Sequence, residues 1–294
     1  MEREKVKVLI LAHCGDETAI RVYLKIKSEY GDEEVKLVSS EELVFAQHWS
    51  HRIESGEIST DIQLADNTIL KSDSIGVIFN RLTFPTMHHF NWSSERTRNY
   101  ANMEMYALWM SWLKSLSCPV VNKSSIFGIG IQRRSMAEWL FLSGKAGLPT
   151  DEFFFTSSSR YFQKNGSIPH VCLLPHNIEN RQDIKKNEPP ALGIQPLVYL
   201  NTTEGIIQTA LIVGEVVINP FNGRFQEEFQ QLRSLIGCDL FQVFFSMKKN
   251  DPEKCGKSTQ NWYVSGISTF PNCSDTKSIS LIANHLVQKS RGYP

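Results

Sequence analysis

Several functions are excluded by what the 294-residue chain does not contain. No apolar run approaches the roughly 20 residues of a membrane-spanning helix, so no membrane partner is expected. Charge of one sign is not in excess: 31 Lys and Arg face 31 Asp and Glu, mixed along the chain rather than in blocks. Without a basic field, nucleic acid is not an expected partner either. Cysteine is sparse and scattered over Cys14, Cys118, Cys172, Cys238, Cys255 and Cys273, with no C-x-x-C pair and no His/Cys cluster at zinc spacing. That pattern predicts no bound metal, reduced thiols and a cytoplasmic location. G-x-S-x-G, the P-loop and a strand-flanked G-x-G-x-x-G are all absent. The opening MEREKVKVLILA carries mixed charge and no cleavage-site pattern, so it reads as a polar lead into a first strand rather than a signal peptide.

What is present is length enough for two domains and an alternation of strand and helix patterns. Val6–His13 is a continuous apolar run, as a buried parallel strand requires. Asp16–Ser28 has helical periodicity, and Val35–Ser39 is a short strand followed by the helix start Ser-Ser-Glu-Glu. Glu57–Leu70 alternates around the turn Asp66-Asn67 and reads as a hairpin; Ile75–Arg81 is a further strand ending on two polar residues. Glu95–Leu116 is the strongest helix, with Tyr100, Met103, Ala107, Met110, Trp112, Leu113 and Leu116 as its expected apolar face. A short strand over Cys118–Asn122 and a helix over Ser135–Ala146, stopped by Gly147, follow. The polar stretch Asn177–Pro190 predicts a mobile loop. The expected organisation is an α/β domain over 1–122, a linking helix region over 123–150 and an α+β domain over 151–294.

Few residues stand out chemically. Asn80 and Arg81 end a predicted parallel strand, where open α/β sheets bind ligands, although a salt-bridged Arg at a strand exit gives the same pattern. Asn122 ends the next strand. Arg133-Arg134 precede the linking helix and suit either an anionic ligand or a solvated helix start. His88-His89 point apart on an extended chain and read as a surface loop. Cys14 has His13 and Asp16 beside it, but sequence neighbours rarely form a nucleophile–base pair. Trp109 and Trp112 read as core, and Lys185-Lys186 as a solvated charge run.

From Pro196 to Pro271 the order is strand, hairpin (TALIVGEVVINP), polar helix (FQEEFQQLRSL), strand (IGCDLFQVFFSM) and strand (NWYVSGISTFP). This order resembles the C-terminal half of the ATP-grasp superfamily. The first half is similar to its peptide-modifying ligases of the microviridin-maturation type. The matching pieces are Gly76-Val77-Ile78-Phe79-Asn80-Arg81-Leu82, Glu104 in the long helix, Pro119-Val120-Val121-Asn122 and Ala146-Gly147-Leu148-Pro149-Thr150. The resemblance implies a pre-ATP-grasp-like α/β domain followed by a shortened ATP-grasp-like α+β domain.

Carried over residue by residue, the resemblance implies that the chemistry is missing. Leu174 stands where the family has a phosphate-binding Lys, and an uncharged side chain cannot offset phosphate. The loop that should offer glycine N–H groups is HNIENRQDIKKNEPP, without glycine. Ile207 and Thr209 replace an Asp and an Arg. Phe244 replaces a metal-binding Asp, and Gly266 and Ser268 replace the Glu and Asn that hold magnesium. The implied protein therefore has no nucleotide or metal cofactor and binds a peptide, a small-molecule substrate or a partner enzyme of a biosynthetic pathway in the interdomain cleft, through Asn80, Arg81, Asn122 and Arg134. The alternative is an active ligase that uses Mg-ATP to phosphorylate a carboxylate for attack by an amine, with Lys185 or Lys186 replacing the phosphate lysine and Asp239 or Asp251 the metal ligand. A different chemistry in the same cleft is a third reading, and a homodimer is left open.

Overall fold

The computed structural model describes residues 7–55, 57–85, 90–130, 132, 134–150, 207–247 and 262–292, together with four strands between 153 and 200. The chain divides into two compact units. The first comprises 1–132, 238–240 and 269–294; the second comprises 133–237 and 241–268.

The first unit is built on a four-stranded parallel sheet in the order β2-β1-β6-β7. Its strands are β1 (Val8–Ala12), β2 (Val35–Ser39), β6 (Val77–Arg81) and β7 (Val120–Val121). Every residue of β1 and β6 is buried, which is why β1 reads as an unbroken apolar run and β6 as one up to its polar end, Asn80-Arg81. The chain runs from β1 to one neighbour and then crosses to the other, so the sheet reverses direction of growth between β1 and β6. Asp16 caps the N-terminus of α1 (Glu17–Tyr30), its Oδ1 accepting from the Ala19 N–H at 3.0 Å. A capping box between Ser39 and Glu42 starts α2 (Ser40–Val44).

A three-stranded antiparallel sheet, β3 (His48–Glu54), β4 (Glu57–Gln63) and β5 (Ile69–Lys71), follows α2. Trp49 faces Ile62, and His51 faces Thr60, on the side turned to the core. The expected hairpin over 57–70 is present as β4 and β5. The strand β3 was not expected: HWSHRIE is an edge strand with mostly polar residues, and edge strands need no apolar alternation.

The long helix α3 (Glu95–Ser115) is present; it buries Trp109, Trp112 and Leu113 and packs Met110 and Leu116 against the core, while the N-terminal part of the expected face stays outside. Tyr100 and Met103 are 68% and 66% exposed. The sequence carries two apolar stripes on one helix, and the core selects the one that holds both tryptophans.

The second unit contains α4 (Met136–Lys145) and a four-stranded sheet in the order β13-β12-β14-β15. These strands are β12 (Ile207–Val213), β13 (Val216–Ile218), β14 (Leu240–Met247) and β15 (Trp262–Ser268). Helix α5 (Gln226–Ile236) buries Phe229, Leu232 and Ile236. A further antiparallel sheet, in the order β10-β9-β11-β8, consists of β8 (Phe153–Thr156), β9 (Val171–Leu173), β10 (Arg181–Asp183) and β11 (Leu197–Leu200). Most of the polar stretch expected to be a mobile loop, 177–190, lies outside the described residues; its centre forms β10.

The domain limits expected from sequence differ from these units at the C-terminus. The expected second domain runs to residue 294 and so includes the stretch that forms helix α6 (Thr276–Ser290). It belongs to the first unit, where Ile279, Ile282, Ala283, Leu286 and Val287 are buried and the helix packs on α1 and β6. A parallel sheet needs helices on both faces, and α6 supplies one of them from the far end of the sequence.

Candidate functional site

Three of the positions at which the resemblance places chemistry, Phe244, Gly266 and Ser268, come together on β14 and β15. The antiparallel register sets Phe244 opposite Gly266 and Gln242 opposite Ser268. A bulge at Ser265 separates this segment from the rest of the ladder, because Phe245 pairs with Val264 while Phe244 pairs with Gly266. The Ser265 hydroxyl donates to the Phe244 carbonyl at 3.3 Å. Phe241, Val243 and Phe245 are buried, with the Phe245 ring edge-on to Phe229 of α5 at 6.0 Å. The intervening Gln242 and Phe244 occupy the other face of the sheet by strand alternation. That face carries an amide, a ring, a glycine and a hydroxyl. Neither LFQVFFSM nor WYVSGIS contains a carboxylate.

Magnesium demands oxygen ligands, usually one or two carboxylates with phosphates and water. The donor set on these two strands does not fit it. Among the described residues, no group of three or more His, Cys, Asp or Glu is arranged to hold a metal ion. Asp239, a candidate replacement ligand, is paired with Lys289 at 3.1 Å. On β12, Ile207 and Thr209 are both exposed. Leu174, Lys185, Lys186 and Asp251 lie outside the described residues, as do Arg133, His88 and His89.

The strand-end residues have other occupations. Asn80 is fully buried: its Nδ2 donates to the carbonyls of Asn122 (3.2 Å) and Ile129 (2.9 Å), and its Oδ1 accepts from the Leu82 N–H at 3.1 Å. It clamps the loop after β7 to the end of β6. Gly130 belongs to the same clamp, since a Cβ there would lie 2.6 Å from the Leu82 carbonyl oxygen. Arg81 is 2% exposed. Its Nε donates to Asp16 Oδ2 at 2.7 Å, its Nη1 donates to the Pro271 carbonyl at 3.1 Å, and the guanidinium lies 3.8 Å over the Phe270 ring. Expected to contact a ligand, its guanidinium is instead divided among Asp16, the cap of α1, the Pro271 carbonyl and the Phe270 ring. Asn122 is also buried, in a left-handed conformation (φ 63°), with Oδ1 near the Cys238 thiol at 3.5 Å. Arg134 pairs with Glu138 one turn along α4 and lies 5.5 Å over the Trp139 ring.

The crevice between the ends of β1 and β6 holds a cluster that the sequence reading missed. His13 Nδ1 is 3.0 Å from Ser40 Oγ, which in turn donates to Glu41 Oε2 at 2.8 Å. His13 Nε2 accepts from the Thr83 N–H at 3.1 Å and lies 2.7 Å from its hydroxyl. An accepting Nε2 requires the proton on Nδ1. Burial holds the imidazole below its ordinary value of 6.5, against the opposing charges of Glu41 and Asp16. The three residues are far apart in sequence, and only the strand order β2-β1-β6 brings them together. Cys14 beside them is exposed, and no structural feature pairs it with His13 as a nucleophile.

The chain superimposes along almost its whole length on solved peptide-modifying ligases. It matches a Chryseobacterium gregarium RiPP-associated ATP-grasp ligase in complex with ADP and a leader and core peptide (15% identity, 96% of each chain, TM-score 0.73). It also matches the macrocyclase MdnC of Microcystis aeruginosa MRC bound with precursor peptide MdnA (13% identity, 96% of this chain and 99% of the other, TM-score 0.74).

The fold is that of the ATP-grasp ligases.

A third ATP-grasp ligase, PsnB complexed with minimal precursor, Mg and ADP, matches at 10% identity over 97% of this chain and 98% of the other, with a TM-score of 0.69. No family model and no curated protein matches the sequence. In ATP-grasp terms, β14 and β15 are the strands to which the resemblance assigned the metal ligands, and here they carry Phe244, Gly266 and Ser268. Among the described residues, no helix is long and apolar enough to cross a membrane.

Proposed function

We propose that this is an ATP-grasp-fold protein of peptide biosynthesis that no longer activates a carboxylate with Mg-ATP and acts by binding a peptide or partner enzyme. The observation that carries this reading is the pairing of Phe244 with Gly266 and of Gln242 with Ser268 on two strands without a carboxylate. The burial of Asn80 and Arg81 supports a binding surface other than those two strand ends.

Melting temperature with and without millimolar Mg-ATP tests the proposal. A ligand at 100 times its Kd stabilises a protein by about 2.7 kcal/mol, and no such shift is expected. A saturable shift that disappears on removal of magnesium overturns the reading. Release of ADP with a peptide substrate overturns it more directly.

The active-ligase reading draws support from the structural neighbours, which are ligases solved with ADP and precursor peptides. It requires a metal ligand from outside β14 and β15. Asp239 is already neutralised by Lys289, so Asp239→Asn is expected to alter stability, not to abolish a nucleotide-dependent signal.

A further inference from the structure

The three-stranded antiparallel sheet of the first unit ends on β3, whose outer edge has no strand beside it among the described residues. β3 is seven residues long, and its register with β4 runs from His48–Gln63 to Glu54–Glu57 without a bulge. Which backbone groups it leaves free follows from the ladder. The Thr60 carbonyl accepts from the Ser72 N–H at 3.4 Å, and the Leu64 N–H donates to the Thr68 carbonyl at 2.9 Å. Thr60, Ile62 and Leu64 therefore direct their backbone groups at β5, while Glu57, Ser59, Asp61 and Gln63 direct theirs at β3. Their partners on β3 are Glu54, Arg52, Ser50 and His48. The intervening Trp49, His51 and Ile53 point their N–H and C=O groups outward. Long edges of this kind are normally blunted by proline, lysine or a bulge, and β3 has none of these.

A row of free backbone donors and acceptors is matched by another extended chain, and HWSHRIE is complementary to itself. We propose that β3 pairs with β3 of a second copy of this chain, antiparallel around a two-fold axis at His51, to form one continuous sheet. In that register Trp49 meets the partner's Ile53 and His51 meets the partner's His51, so all three outward residues use both backbone groups. Ile53, 62% exposed in the single chain, is covered by the partner's Trp49. On the other face Glu54 meets the partner's His48 and Arg52 meets the partner's Ser50, with no like charges opposed. The ring nitrogens of His51 are held at 2.8 Å by Thr60 and by Ser111 of α3. Burial keeps that ring below its ordinary 6.5, so two neutral rings meet at the axis. Other registers lose the match: an axis at Arg52 opposes Arg52 to itself, and an axis at Ser50 sets Ile53 against the partner's Gln47. Because the match is with its own sequence, the occupant is a second copy rather than an unrelated peptide. The contact lies within the first unit and stands whether or not the protein binds nucleotide.

Sedimentation velocity over a dilution series of the full-length protein is expected to show a monomer–dimer equilibrium. Two substitutions at Ser50 separate the interface from the fold, because Ser50 faces Asp61 within its own sheet and the partner's Arg52 across the axis. Ser50→Glu should tighten the dimer by about two- to thirty-fold through two new opposite-charge pairs. On dilute, monomeric protein the same change should slightly lower the melting temperature, since it faces Asp61. Ser50→Arg should do the reverse, weakening the dimer while leaving the melting temperature of the monomer at or above the parent's. Ile53→Pro removes an outward N–H and no bond to β4, so it should abolish the dimer in a protein that stays folded. If Ile53→Pro does not fold, the opposite responses of the two Ser50 variants decide. The proposal is overturned by a protein that sediments as a monomer throughout the series. It is also overturned by a dimer that Ser50→Arg or a folded Ile53→Pro leaves intact, because another surface would then hold it.

Discussion

At the scale of single residues, Arg81 and His13 have the clearest consequences. The Arg81–Asp16 pair is nearly dry, with side chains 2% and 8% exposed. Removing one partner of a buried pair leaves the other charge uncompensated and costs about 3–5 kcal/mol. Arg81→Ala should therefore lower the melting temperature sharply, and calorimetry on the purified variant checks this. Arg81→Lys should not rescue it, since a single ammonium cannot reproduce the contacts to Asp16, Pro271 and the Phe270 face. His13 makes stability depend on pH. Burial lowers its folded pKa below 6.5, so the folded state favours the neutral ring. The resulting stability is fully present above pH ~6.5 and is lost as pH falls through the folded value. Melting temperature should fall between pH 7.5 and 5, and His13→Gln should flatten that fall. His51, also lowered by burial, contributes in the same direction, so the flattening is partial. Thiol reactivity follows burial as well. The Cys238 thiol is pushed up to about 12 and those of Cys118 and Cys273 to about 11, so all three should resist a disulfide reagent in the native protein while exposed Cys14 reacts.

At the scale of elements, α3 shows how far periodicity can be trusted. Its pattern supports two apolar faces about a third of a turn apart, and the single face expected from sequence mixed residues of both, Trp112 and Leu113 with Tyr100 and Met103. Trp109 and Trp112 decide it, because large rings contribute most on burial. Trp109→Ala should cost about 3–5 kcal/mol in denaturant titrations, whereas Tyr100→Ser should stay within about 0.5 kcal/mol of the parent. Trp109→Phe is the sharper test. It keeps a ring and removes a buried indole N–H that has no partner, so its cost should be far below that of Ala. The strands were more legible. β1, β2, β6, β12, β14 and β15 announce themselves as runs of Val, Ile, Leu and Phe bounded by polar or turn residues. β3 did not, because its tip residues Ile53 and Ile58 face each other while 62% and 42% exposed, an arrangement without an inward–outward alternation. The positions that the resemblance assigns to metal ligands lie far apart in sequence, on β14 and β15. Their assembly was legible only through register, since the bulge at Ser265 determines that Phe244 meets Gly266.

At the scale of the molecule, the alternation of strands and helices carried the fold, but not its partition. A charged or polar residue at a strand end reads from sequence as a ligand contact. Asn80 and Arg81 turned inward because the loop after β7, the α1 cap and the segment after β15 all converge on them, and three such distant segments leave no local signature. The same is true of α6, which the sequence reading did not pick out and whose destination has no local signature either.

That destination has a consequence for how the protein comes into being. The first unit is closed by residues 269–294, so its hydrophobic sheet face stays uncovered until that segment, which follows the second unit in sequence, has been made. A fragment ending at residue 132 lacks both the helix that covers β6 and the Pro271 carbonyl that receives Arg81. Expressed alone, it should be insoluble or depend on chaperones, and co-expression with a 238–294 fragment should restore soluble material. Closure of the first unit therefore waits on a segment that comes after the second unit, so the two units cannot mature strictly one after the other.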